Sequence, residues 1–151
     1  MSENIFEKAK SSAEALKDKV SDLSNSLFDD EKKEIIDEYK NITSEKLKSN
    51  LETLGNYTEL FSEAGYELSS INASIALPPD ISITFKCLNA IPVTERNDIL
   101  SKVQDSKITA MILKSLFKAS DYSESIKIGE FKLRSINIKM GLIPSISVSF
   151  S

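Results

Sequence analysis

The stretches YELSSINASIALPPDISITF, residues 66–85, and FKLRSINIKMGLIPSISVSF, residues 131–150, carry the fold. In the first, Ile71, Ala73, Ile75 and Leu77 alternate with Asn72, Ser74 and Ala76. Pro78-Pro79-Asp80 then turns the chain, and Ile81, Ile83, Phe85 and Cys87 alternate with Ser82, Thr84 and Lys86. A period of two places the apolar set on one side of a pleated strand, so each half is a strand with one buried face and the two form a hairpin. The second stretch repeats the pattern. Ile136, Ile138, Met140 and Leu142 share a face, Ile143-Pro144 turns, and Ile146, Val148 and Phe150 return.

Set without gaps at an offset of 65, the stretches agree at nine of twenty positions: Leu68/Leu133, Ser70/Ser135, Ile71/Ile136, Asn72/Asn137, Leu77/Leu142, Pro79/Pro144, Ile81/Ile146, Ser82/Ser147 and Phe85/Phe150. At this composition chance alone yields such a match in roughly one sequence in ten to twenty. The same offset also pairs Asp29 with Thr94, Leu51 with Leu116 and Tyr57 with Tyr122, so the preceding helices fall in register as well.

Upstream of each hairpin the period lengthens to that of a helix. Phe28-Asp29-Asp30-Glu31 offers an N-cap and an acidic first turn suited to the positive end of a helix dipole. Ile35, Ile36, Tyr39, Ile42, Leu47, Leu51 and Leu54 follow at helical spacing, with a stutter at Thr43-Ser44, a stop at Gly55-Asn56 and a further turn through Leu60 and Phe61 to Gly65. Before the second hairpin, Thr94 reads as an N-cap, and Ile99 to Phe117 reads as a helix to about Ala119, with Asp105-Ser106 as an interruption. Strand is expected from Ile126 onward, with Gly129 as a bulge or bend.

Residues 6–27 follow a heptad, with Phe6, Ala13, Val20 and Leu27 in one row and Ala9, Leu16 and Leu23 in the other. This reads as an amphipathic helix whose narrow seam packs on the body or pairs with another chain as a coiled coil. The expected organisation is therefore an amino-terminal heptad helix over 1–28 and one α+β domain over 29–151. That domain is built from two helix-hairpin (αββ) repeats, 29–85 and 94–150, which form a four-stranded antiparallel sheet covered by helices on one face.

The 151 residues suffice for one core, and 40% hydrophobic with 28% charged residues is a globular composition. A net charge of −4 disfavours nucleic acid, because neutralising phosphates takes a clustered basic surface. The charge is uneven, with nine Lys against fifteen Asp and Glu in residues 1–63 and ten Lys and Arg against eight acids in 64–151. Such a split favours contact between halves, within a chain or between chains. The start has no basic region followed by an apolar run, no stretch is apolar enough to span a bilayer, and the lone Cys87 forms no internal disulfide. A cytoplasmic protein is expected. Four Lys against five acids in the first helix gives little attraction for anionic lipid, so membrane contact is a minor expectation.

No motif names a reaction. The chain has no His, which removes the commonest general base and the usual nucleophilic triads. Glu31, Glu34 and Glu38 share a helix face near Asp30, but with Lys32, Lys33 and Lys40 beside them they read as a solvated surface. Cys87 falls in the inward phase of its strand as a small hydrophobe, and the four glycines spell no phosphate loop. The outer sheet face, Asn72, Ser74, Ser82, Thr84, Lys86, Asn137, Lys139, Ser147 and Ser149, holds no aromatic ring for a base to stack on. The sequence thus reads as a non-enzymatic, cofactor-free protein. Its expected role is protein interaction or self-association, with Phe6, Ala9, Ala13, Leu16, Val20, Leu23 and Leu27 as the interaction seam. The alternative is a carrier of a lipid or other small hydrophobic ligand between sheet and helices.

Overall fold

The structure is a computed structural model, and it describes residues 29–74 and 79–151. The heptad seam from Phe6 to Leu27 lies outside the described residues. Helices α1 (Asp29–Tyr39), α2 (Ser44–Asn56) and α3 (Thr58–Glu63) lead into strands β1 (Tyr66–Ser74) and β2 (Asp80–Cys87). Helices α4 (Val93–Ser101) and α5 (Lys107–Glu124) then lead into β3 (Leu133–Met140) and β4 (Ser145–Phe150). The strands form one antiparallel sheet in the order β1-β2-β3-β4, so the architecture is α+β with a four-stranded meander.

Local chemistry sets the helix boundaries. The residues from Ile35 to Leu54 make two helices, because Thr43 is extended (φ −89°, ψ 159°) and its hydroxyl accepts the Lys46 N–H at 3.1 Å. A side chain that satisfies an orphan N–H starts a new helix where the apolar spacing alone runs on. Ser106 does the same at the head of α5, accepting from the Thr109 N–H. The interruption at Asp105-Ser106 is thus a full break, and α5 runs on to Glu124, past Ala119. Thr94 is not the cap of α4. Pro92 holds that place, and Thr94 sits in the first turn.

Strand also begins later than its composition suggests. Between Ile126 and Lys132 the chain makes a bend with one bridge, Ile128 to Phe131, and Gly129 has φ +54°. A residue in the left-handed region cannot continue a strand, so β3 starts at Leu133.

Three registers define the sheet. β1 and β2 pair Ile71 with Ile83 and Asn72 with Ser82, with a bulge between Leu68 and Ser70. β3 and β4 pair Ile136 with Val148 and Asn137 with Ser147, with a bulge between Leu133 and Ser135. The central joint pairs Ile83 with Ile138, Thr84 with Asn137 and Phe85 with Ile136.

One face of this joint makes the core. Ile81, Ile83, Phe85, Ile136, Ile138 and Met140 are buried, and so are Leu113, Leu116 and Phe117 of α5, Ile35 and Tyr39 of α1, and Phe61 of α3. Phe61 meets Phe85 edge to face, with ring centroids 5.0 Å apart. Each such side chain contributes about 1.5–3 kcal/mol on burial. On the opposite face Ser82, Thr84 and Asn137 are half-buried and Asn72, Lys86, Lys139, Ser147 and Ser149 are exposed.

Gly65 joins α3 to β1 with φ +96°, and a Cβ there would fall on the Asn89 carbonyl oxygen. Its own carbonyl accepts the Leu88 N–H at 2.8 Å, which fixes the chain leaving β2. Gly55, inside α2, has nothing within 4 Å of an added Cβ. Urea denaturation should therefore show Gly65→Ala losing at least about 1–3 kcal/mol, whereas Gly55→Ala should gain up to about 1 kcal/mol from helix propensity. Equal effects of the two substitutions would refute this account of the junction.

Candidate interaction surface

The helices cover the centre of the sheet better than its flanks. Ile81, Ile83 and Phe85 of β2 and the apolar positions in the later half of β3 are fully buried, but on β1 Ile71 is 36% exposed and Ala73 is also exposed. On β4 Ile146 is buried, while Val148 and Phe150 are half-buried. The inward face of β1 is oriented as its alternation requires; α3 packs on this strand and Tyr66 and Leu68 are buried or half-buried, but Ile71 and Ala73 are open, while α5 packs over β3 and β4.

Charge is distributed in the opposite sense to what isolated sheets use for protection. Flanking strands usually carry Lys, Pro or inward charges that deter pairing with another chain. Here residues 70–74 of β1 and 145–150 of β4 contain no charged residue, whereas the central strands hold Asp80, Lys86, Arg134 and Lys139. The outer face also carries a polar ladder. Asn137 Nδ2 donates to Ser82 Oγ at 3.0 Å and to Thr84 Oγ1 at 2.9 Å, reaching across the central joint to β2.

At one end of the sheet Tyr66, Cys87, Leu88, Ala90, Phe131 and Phe150 border an open groove of about 300 Å³. Leu88 is 52% and Phe131 59% exposed. At the other end the β3–β4 turn presents Leu142 and Ile143 to solvent, so Leu142 does not continue the inward row of Ile136, Ile138 and Met140. A tight turn reverses the chain before a fourth inward position can reach the core. Phe131, the counterpart of buried Tyr66 at the offset of 65, carries no local signal of its exposure, which follows from the bend at Gly129.

Two buried charges hold the helices to α5. Glu31 of α1 accepts from Lys118 Nζ at 2.7 Å, and Arg96 of α4 donates to both carboxylate oxygens of Asp121 at 2.7 and 2.8 Å. Arg96 also stacks on Phe117, 4.9 Å above the ring. The partner of Glu31 is thus a tertiary one, not the neighbouring Lys32 or Lys33, and the carboxylates of α1 are divided, with Glu31 buried and Glu34 exposed. Among the described residues, no group of three or more His, Cys, Asp or Glu is placed to hold a metal ion.

Side chains fill the space between sheet and helices, so the apolar face is packed rather than hollow. Among the described residues, no helix is long and apolar enough to cross a membrane. The chain matches no protein-family model, no curated protein and no solved structure.

Titration offers two checks on this geometry. Burial pushes the Cys87 thiol up to about 11, so its alkylation by iodoacetamide at pH 8 should be slow and should rise only as pH approaches that value. Fast labelling at pH 8 in the native protein would contradict the placement of Cys87. Burial also pushes Tyr66 and Tyr39 up to about 12, and Tyr66 Oη donates to the Leu116 carbonyl at 3.1 Å. A folded value above the unfolded one means that this stability is intact below pH 10 and lost between about 10 and 12. Tyr66→Phe should flatten the fall in stability with pH over that window, and an unchanged slope would refute it.

Proposed function

We propose that this chain is a non-enzymatic protein-interaction module that associates with further copies of itself or with a protein partner. The observation that carries the proposal is the absence of charge from residues 70–74 of β1, beyond Glu67, and from all of β4, 145–150, beside charged central strands. Exposed Ile71 and half-buried Phe150 add apolar surface at the same two edges. Strand edges of this kind recruit another strand, because unpaired backbone N–H and C=O groups gain partners and the flanking apolar side chains gain cover.

We read the body as a duplicated αββ unit. Elements of the first half recur in the second at close to 65 residues, α1 with α4, α2 and α3 with α5, β1 with β3 and β2 with β4. The bulges at Leu68/Ser70 and Leu133/Ser135 differ by that same number, as do the registers Ile71–Ile83 and Ile136–Val148. Even the buried ion-pairing residues Glu31 and Arg96 occupy equivalent positions. The heptad residues Phe6, Ala9, Ala13, Leu16, Val20, Leu23 and Leu27 form a second association element in this reading. A hydrophobic carrier draws no support from a filled interior.

Sedimentation velocity over a wide range of concentration tests the proposal. A mass that rises with concentration is expected, and Leu16→Asp or Leu23→Asp should lower either that mass or the helix content seen by circular dichroism. A chain that stays monomeric at every concentration and retains no protein partner in native mass spectrometry of material purified from cells would overturn the reading.

A further inference from the structure

We infer that the β4 edge of one copy pairs with the β1 edge of a second copy, in a register that reproduces the internal joint between β2 and β3. The inference rests on the self-association reading above and specifies its partner and geometry. β1 corresponds to β3 and β2 to β4, and the sheet order is β1-β2-β3-β4, so the hairpins follow one another along the sheet. A relation of this kind does not close on itself. The edge of β4 is the counterpart of the edge that β2 offers to β3, and the edge of β1 is the counterpart of the one that β3 offers to β2.

The chain therefore already contains one worked example of the proposed contact. Moving the β2–β3 register by 65 residues in each direction opposes Ser147 to Ser74, Val148 to Ala73, Ser149 to Asn72 and Phe150 to Ile71 of the second copy. Inward positions meet inward positions. Val148 and Phe150 stand where Ile83 and Phe85 stand in the internal joint, and Ala73 and Ile71 where Ile138 and Ile136 stand. Ile71 at 36% exposure would gain the cover that Ile136, at 0%, already has.

The outward positions carry the matching polar chemistry. Asn137 donates across the internal joint to Ser82 and Thr84. Its counterpart Asn72 is exposed on the β1 flank, and the counterparts of the two hydroxyl acceptors, Ser147 and Ser149, are exposed on the β4 flank. Each edge thus holds one half of a ladder whose complete form lies at the centre of the sheet. The bulge between Leu68 and Ser70 would end the new pairing at Ser70, just as the bulge between Leu133 and Ser135 lies where the internal joint ends, at Ser135. Charge is absent from both segments that would meet, so no like charges oppose the contact.

Such a contact is heterologous, since different surfaces of the two copies meet, and it adds copies head to tail into a ring or a filament. A symmetric dimer through two β1 edges or two β4 edges uses the same backbone chemistry but none of this register.

Single-cysteine versions of the full chain, Asn72→Cys and Ser149→Cys, each in a Cys87→Ala background, separate these cases. When the two are mixed and mildly oxidised, a disulfide-linked dimer should form that neither gives alone. Replacing Asn72→Cys by the off-register Glu67→Cys, also exposed on β1, should abolish it. Ile71→Lys, at a site already exposed, should shift the native chain toward monomer in sedimentation without loss of helix or sheet content. Dimers of S149C or N72C with itself would overturn the proposal in favour of a symmetric contact. Protection of the S149C thiol within a monomer would overturn it in favour of residues 1–28 seated on the edge. Association that survives Ile71→Lys, with no linkage in the mixture, would overturn this geometry and leave the broader self-association reading intact.

Discussion

Burial of the apolar face shared by β2 and β3 is the constraint on which the rest of the structure depends. Neither hairpin can bury that face alone, because a two-stranded ribbon is too narrow to exclude water from one side. Joined through Ile83–Ile138 and Phe85–Ile136, the hairpins present a continuous surface of Ile, Phe and Met. α5 can then lie on it with Leu113 and Leu116 fully buried. Because this helix packs on the sheet and also on α2 and α4, it is apolar on more than one side, with Ile108, Met111, Ile112, Leu113, Leu116 and Phe117 all buried.

That central position of α5 also explains where the buried charges lie. An ionised side chain removed from water is tolerated only with a partner close by. Glu31 and Arg96 each find theirs on α5, at Lys118 and Asp121, so α1 and α4 are both fixed to the same helix. These pairs specify which helix docks where more than they add net stability, since desolvation offsets much of their attraction. The same packing leaves the flanks of the sheet thinly covered at Ile71 and Ala73, and the flanks are where the uncharged segments 70–74 and 145–150 lie. Architecture and proposed association therefore have one cause, a helical layer centred on the joint rather than on the edges.

Much of this could be read along the chain. The alternation in 66–85 and 131–150 identified four strands and their pairing into hairpins, because side-chain direction in a strand depends only on position parity. Helix breaks were harder. Thr43 and Ser106 begin new helices by accepting hydrogen bonds from the Lys46 and Thr109 N–H groups, and apolar spacing carries no record of that competition. The start of β3 was misplaced for a related reason. Ile126, Ile128 and Phe131 have strand-like composition, while the left-handed backbone of Gly129 turns them into a bend.

By itself, then, the sequence determined the α+β class, the four strands and which side of each would be apolar, since all of these are local periodicities. It also determined that residues 70–74 and 145–150 bear no charge. Tertiary structure alone decided that the hairpins join through β2 and β3, which leaves those uncharged segments at the edges. It alone decided that Glu31 pairs with Lys118, 87 residues away, and that Phe131 is exposed where its counterpart Tyr66 is buried. The physical reason is that burial and partner choice depend on what another part of the chain brings to the same place, and periodicity along one segment contains no information about that.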